Sequence, residues 1–139
     1  MNIFLDTNFL LDFFIRDEYL EVCSQLLRLS HERGDRLFIS FLSVANFAYV
    51  IRKTPDLQKS IMITKLCSLF SVIDNTHSQI QKALQISAHD FEDVLQYQTA
   101  LDGGCNVIIT RNQKDFKFSD IPVLSASEYL IQIGVENRR

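Results

Sequence analysis

The apolar residues of this chain fall into two kinds of pattern. Four short uninterrupted runs, Ile3–Leu5, Leu37–Ser40, Ser71–Ile73 and Val107–Thr110, read as strands, and a weaker fifth is Pro122–Leu124. Runs without alternation are expected of strands covered on both faces. The longer segments between them repeat at helical spacing. Residues 18–33 place Leu20, Cys23, Leu26, Leu27 and Leu29 near one face, and Gly34 supplies a stop. Residues 42–53 and 56–70 predict two more helices, with Pro55 at the first turn of the second. Residues 76–88 and 90–102 form a further pair that ends at Gly103-Gly104, and 125–133 closes the chain. The aromatic stretch "FLLDFFI" at 9–15 suits a helix packed on the sheet, although base stacking or a dimer face would use the same residues. Strands alternating with helices predict an α/β fold: a three-layer α/β/α sandwich around a parallel sheet of about five strands. In such folds ligands sit beyond the carboxyl ends of the strands.

The bulk properties narrow the picture. A chain of 139 residues, 47% of them hydrophobic, is expected to form one domain, 1–139. Its net charge of −3 argues against a generally basic nucleic-acid binder, so any contact with nucleic acid needs a local basic patch or a bound cation. Cys23, Cys67 and Cys105 are odd in number and widely spaced, which disfavours a disulfide framework and a zinc knuckle and suits reduced thiols in a cytoplasm. His31, His77 and His89 form no ligand pair at helical spacing. No apolar run approaches the ~18 residues of a membrane span. There is no glycine-rich phosphate loop.

The chemistry gathers at the strand ends. Asp6 and Asn8 follow the first strand, and "TRNQKDF" with Asn112 and Asp115 follows the fourth. The helix that feeds the fourth strand opens "HDFEDVLQYQTAL", where Asp90 and Asp93 share a face with Tyr97 nearby. Each piece also has a plain structural use. Asp6, Thr7 or Asn8 suits a helix N-cap; Asp90 suits another, with Asp93 favoured by the helix dipole; Asn112 and Asp115 suit a turn; Glu92 suits solvent. What singles them out is their convergence, because clustered carboxylates repel unless a cation neutralises them. Oxygen ligands without Cys or His suit Mg2+ or Mn2+.

"FLDTNFLLD", "DFEDVLQYQTAL" and "VIITRNQKDF", in this order and spacing, resemble the PIN domain family across essentially the whole chain. The bacterial single-domain branch related to the toxins of VapBC toxin–antitoxin pairs is the most similar. The resemblance implies a metal-dependent ribonuclease acting on single-stranded RNA, with an antitoxin protein as partner; a homodimer stays open. It places the first metal-binding acid at Asp6, with Thr7 and Asn8 ordering the loop, the helix acid at Asp93 with Asp90 beside it, and the last acidic corner at Asn112 and Asp115. Many members carry a glutamate on the helix after the second strand; here "ISFLSVANFAYVIRK" has Asn46. Asn112 likewise stands where many relatives have Asp. The expected catalytic and metal-binding set is therefore Asp6, Asp90, Asp93 and Asp115, supported by Asn8, Asn46, Thr110 and Asn112. Thr110 would contact a phosphate or position Asp6. Arg52, Lys53, Arg111 and Lys114 are the candidate RNA contacts. A catalytically weak PIN-like module that binds RNA or protein is the competing reading, favoured by the two asparagines. A phosphoacceptor receiver is disfavoured because "DTN" lacks the paired acids such a site needs. The closing "ENRR" reads as a solvated tail.

Overall fold

In the computed structural model, which describes residues 1–86 and 90–137, five parallel strands form one sheet. They are β1 (Asn2–Leu5), β2 (Arg36–Ser40), β3 (Ser71–Ile73), β4 (Val107–Ile109) and β5 (Val123–Leu124). The helices are α1 (Thr7–Phe14), α2 (Leu20–Arg33), α3 (Phe41–Val50), α4 (Asp56–Leu69), α5 (His77–Leu84), α6 (Phe91–Asp102) and α7 (Ala126–Asn137). A 3-10 turn covers Gln113–Phe116. The helix expected over 76–88 is α5, which ends at Leu84; residues 87 and 88 of that expectation lie outside the described residues, as do His89 and the last two residues of the closing tail.

The strand order is β3-β2-β1-β4-β5. The chain therefore winds outward from β1 through β2 and β3, then returns to place β4 on the other side of β1. That reversal makes the β1/β4 boundary the topological switch point, the place where an open α/β sheet leaves a crevice at its carboxyl edge. The register pairs Leu5 with Ile109, so the residues that follow, Asp6 and Thr110, emerge side by side.

Period-two alternation splits the strand residues between two cores. Ile3, Leu5, Ile39, Val107 and Ile109 face one layer with Leu10 of α1, Leu26 of α2, Phe47 of α3, Leu66 of α4 and Tyr129 of α7. Phe4, Phe38 and Ile108 face the other with Tyr97 and Ala100 of α6 and with Phe116. The continuous apolar runs follow from this double coverage, and the expected three-layer sandwich is what forms.

Element ends obey local chemistry. Gly34 closes α2 in the left-handed region at φ 77°, which glycine enters without a Cβ penalty. Thr76 caps α5 through a reciprocal capping box with Gln79. α3 ends at Val50, shorter than the 42–53 its apolar content predicts, whereas α7 runs on to Asn137. "FLLDFFI" does fold onto the sheet as part of α1, where Phe14 packs edge-on against Phe47 at 5.4 Å.

Candidate acidic site at the sheet's switch point

Asp6 ends β1 and begins α1, and it serves both. Its backbone is extended (φ −71°, ψ 162°) and its Oδ1 accepts the Thr7 N–H at 2.9 Å, so it is the N-cap of α1. The carboxylate is nevertheless almost wholly buried, and it is held from three sides. Oδ1 also accepts from the Gln96 Nε2 at 3.1 Å, and Oδ2 accepts from the Thr110 hydroxyl at 2.9 Å. Burial pushes its pKa up; the bonds from Thr7, Gln96 and Thr110 oppose that, and the nearby Asp115 charge adds to it.

Thr110 continues β4, its N–H bonding Leu124 O at 3.0 Å. Its hydroxyl oxygen is fully used: it donates to Asp6 and accepts from Asn8 Nδ2 at 2.9 Å and from the Asn112 N–H at 3.1 Å. Of the two uses expected for Thr110, positioning Asp6 is the one the geometry supports. Asn8 ties the two strand ends together, its Oδ1 accepting the Arg111 N–H at 3.4 Å.

Asp93 projects from the first turn of α6, half-buried, toward the same corner. Its pKa is pushed up to about 7, by burial first and then by the charges of Asp6, Asp90, Asp115 and Glu92. Carboxylates from β1, α6 and the turn after β4 thus share one electrostatic neighbourhood. Asp90 has a different immediate task. It is exposed, and its Oδ1 accepts the N–H groups of Glu92 and Asp93 at 2.9 and 3.3 Å, which makes it the N-cap of α6. The structure gives it this capping role and a place in the field around Asp93. Asp115 lies half-buried in the 3-10 turn, its N–H bonded to Asn112 O at 2.9 Å.

Asn46 is half-buried on α3, and its amide nitrogen donates to Glu92 Oε1. The neutral residue on α3 is therefore paired with an acid on α6, and Glu92 is not simply solvated.

The four candidate cations divide. Lys114 is exposed on the 3-10 turn beside Asp115. Arg111 is committed inward: its Nε and Nη2 donate to Asp12 at 2.6 and 3.1 Å, and its guanidinium lies 4.6 Å from the Tyr19 ring centre. Asp12 is only 2% exposed, and this bidentate pair pushes the Arg111 pKa up further. Arg52 and Lys53 are not brought to the acidic corner. α3 leaves the carboxyl edge at Ser40 and its ten residues carry the chain roughly 15 Å away before they begin. Arg52 there packs over the Tyr49 ring at 4.1 Å.

Two functional-looking features were not singled out from the sequence. Gln96 is 1% exposed and bonds Asp6, yet a glutamine in a helix ordinarily signals a solvent face. Asp12 pairs with an arginine 99 positions away. Its spacing from Asp6 and its apolar neighbours are the only local hints of burial.

Among the described residues no three Asp, Glu, His or Cys side chains converge closely enough to form a ready metal cluster. The donor chemistry still fits a hard cation. Mg2+ commonly keeps several waters and uses only one or two carboxylates together with substrate phosphate oxygens, and Oδ2 of Asp6 retains an unfilled acceptor position. Thiolate ligation does not fit, since burial pushes the Cys23 and Cys105 thiols up to about 12.

Fold and site together define an open α/β domain with an acidic corner at the switch point of a parallel sheet. A family model described as "PIN domain" matches residues 2–114, and the chain belongs to the PIN domain family. Ribonuclease VapC1 of Aquifex aeolicus (strain VF5) is 26% identical over 133 residues, covering 91% of this chain and 92% of that one. The structure of VapBC2 from Rickettsia felis bound to a DNA fragment from its promoter contains a similar chain: 18% identity, TM-score 0.67, with 90% of this chain and 98% of that one covered. VapC20 of Mycobacterium tuberculosis, a sarcin-ricin loop cleaving toxin, is 13% identical with a TM-score of 0.57, covering 76% and 86% of the two chains. Among the described residues no helix is long and apolar enough to cross a membrane.

Proposed function

We propose that this chain is a divalent-metal-dependent endoribonuclease that hydrolyses phosphodiesters of single-stranded RNA, and that it is the toxin of a type II toxin–antitoxin pair. The observation that carries the reading is Asp6, a buried carboxylate held by three donors at the β1/β4 switch point, with Asp93 and Asp115 in its field. Membership of the PIN family and the similarity to the VapC1 ribonuclease support it. The VapBC-type complexes among its structural neighbours support the partner protein.

Asp6 and Asp93 are the principal holders of Mg2+ or Mn2+, with Asp115 facing the same field and Asp90 ordering the first turn of α6. When bound, such an ion polarises a phosphoryl oxygen and lowers the pKa of a coordinated water. The chain's own part is to supply carboxylates already fixed in direction, so that little reorganisation remains when RNA arrives. Thr110, Asn8 and Asn112 hold the end of β4 against Asp6. Asn46 acts at the rim through Glu92. Lys114 is the cation best placed to meet the RNA backbone.

The test is cleavage of single-stranded RNA by the purified protein with Mg2+ or Mn2+, and its loss with chelator. Asp6→Ala or Asp93→Ala is expected to lower the rate at least ~100-fold, the scale of removing one key electrostatic group. Wild-type protein that binds RNA and does not cut it with either ion would favour the binding-module reading, to which the neutral Asn46 and Asn112 lend support.

A further inference from the structure

Gln96 lies on α6 one turn after Asp93, 1% exposed. Its Oε1 accepts from the Ser40 hydroxyl, and its Nε2 donates to Asp6 Oδ1 at 3.1 Å and to Ser43 Oγ at 2.7 Å. Thr7 Oγ1 stands farther off at 3.4 Å. An amide nitrogen has two protons, and these two shorter acceptors use both.

The orientation of this amide follows from chemistry. An ionised carboxylate only accepts, so the amide must turn its N–H toward Asp6. Ser40 matches that choice from the other side. Its oxygen already accepts the Ser43 N–H at 2.9 Å as the N-cap of α3, and of the two acceptors within reach of its single proton, Gln96 Oε1 is nearer than Ser43 Oγ at 3.1 Å. Ser43, having taken the second amide proton, has its own to give to Thr7 Oγ1 at 2.8 Å. Donation thus runs one way, from the end of β2 through α6 to the end of β1.

The consequence falls on Asp6. Oδ1 is filled by Thr7 N–H and Gln96, while Oδ2 takes one donor, Thr110, and a carboxylate oxygen has about two acceptor positions. Rotation of the carboxylate would break bonds to three different elements.

We infer that Gln96, oriented by Ser40, is the positioning residue of the acidic site: it locks the Asp6 carboxylate so that the unfilled acceptor on Oδ2 keeps a fixed direction for a divalent cation. This rests on the reading of Asp6 as a cation-holding acid. A glutamate at the same place would set a second carboxylate against Asp6 without water, and a leucine would leave Oδ1 with one donor. Only a neutral donor of this length meets the requirement.

The experiment is Mn2+ binding by titration calorimetry on the full chain, beside melts of the metal-free proteins. Wild type is compared with Gln96→Leu, Ser40→Ala and a control, Thr99→Val. Thr99 is equally buried on α6 but bonds Leu95 O at 2.7 Å and the Asn75 side chain, away from Asp6. Gln96→Leu is expected to weaken Mn2+ binding about 10- to 100-fold, the usual effect of losing a partner behind a metal ligand. Ser40→Ala is expected to weaken it less, in the same direction, and it carries the comparison if Gln96→Leu does not fold. Thr99→Val is expected to lower the melting temperature and leave Mn2+ affinity within about 2-fold of wild type, well outside that range. Wild-type affinity in the variants that fold, or an equal loss in Thr99→Val, overturns the inference. If wild type binds Mn2+ and Gln96→Leu binds it equally, this inference alone fails; if wild type binds none, the nuclease reading fails with it.

Discussion

Thr110 donates its hydroxyl proton to Oδ2 of Asp6 across 2.9 Å, joining the ends of two strands that are 104 positions apart in the chain. The same oxygen receives Asn8 Nδ2 and the Asn112 N–H. Thr110→Val keeps the shape and removes all three bonds. It is expected to cost about 1–3 kcal/mol of stability, the penalty for buried polar groups left unpaired, and to lower RNA cleavage about 10- to 100-fold. Thr110→Ser retains the hydroxyl and should recover most of the activity. Chemical melts and cleavage rates of the two variants check this, and equal activity in valine and serine forms would remove Thr110 from the site.

How much of this was legible in the sequence depends on how local the signal is. β1, β2 and β4 announce themselves because strands covered on both faces must be largely apolar, and the acids stand out because they interrupt such runs. Asp6 is expected as a cap and as a site acid; it is the N-cap of α1, and its carboxylate stands buried at the switch point where the proposed site lies. Asp90 illustrates the limit: its capping geometry with Glu92 and Asp93 is local and was foreseeable, but only three-dimensional structure shows that this bond uses one of its oxygens. Gln96 and the Asp12–Arg111 pair were invisible because their meaning comes from partners 90 and 99 positions away. Pattern reading scores a glutamine in a helix as surface, and nothing within one turn of it contradicts that. The end of α3 is missed for another reason: Ile51 is apolar and buried in the core, so the hydrophobic pattern continues although the backbone leaves the helix at Ile51.

The pH behaviour of Asp93 gives a second expectation. Its pKa stands at about 7 in the folded chain, raised from 3.8 by burial and by neighbouring acids. The folded state therefore binds the proton more tightly than the unfolded one. The contribution of this group is fully present below its unfolded value and is lost as pH rises through about 7. Comparison with Asp93→Asn isolates it from other titrations. Metal-free wild type should lose stability relative to the variant between about pH 5 and about pH 8, and saturating Mn2+ should reverse the order at the upper end. Denaturant melts at the two pH values, with and without MnCl2, read this directly. A wild-type to variant difference that does not change with pH would place Asp93 away from the other acids.

Arg111 gives the third. Its two bonds to Asp12, at 2.6 and 3.1 Å, compensate a carboxylate that is 2% exposed, and Arg16 contributes only a longer contact at 3.6 Å. Removing one partner of a buried pair strands the other charge, so Arg111→Ala should cost roughly 3 kcal/mol, near the lower end for such pairs because Arg16 remains. Arg111→Lys should recover only part, since an ammonium cannot reproduce the two-pronged geometry. Lys114→Ala should leave stability unchanged and raise KM for RNA with a shallower salt dependence. Melts and salt-dependent kinetics separate the two residues; a loss below about 1 kcal/mol for Arg111→Ala would mean that water screens the pair.

The last expectation concerns the neutral residue on α3. Asn46 donates its amide to Glu92 Oε1, so the rim carries one charge where two side chains meet. Asn46→Glu replaces that donation with a second carboxylate facing the first. Asn46 is half-buried and Glu92 is exposed, and solvent at the exposed partner limits the repulsion in the metal-free protein to about 0.2–1 kcal/mol. A divalent cation at the acidic corner would relieve it and gain an additional negative partner nearby, while monovalent salt would only screen it. The variant should therefore melt slightly lower than wild type without metal and show a larger upward shift in Tm on adding Mn2+ at constant ionic strength. The direction of the second effect is what discriminates. A shift equal to that of wild type would mean that α3 lies outside the cation's field, and that Asn46 serves only to anchor Glu92 and the first turn of α6.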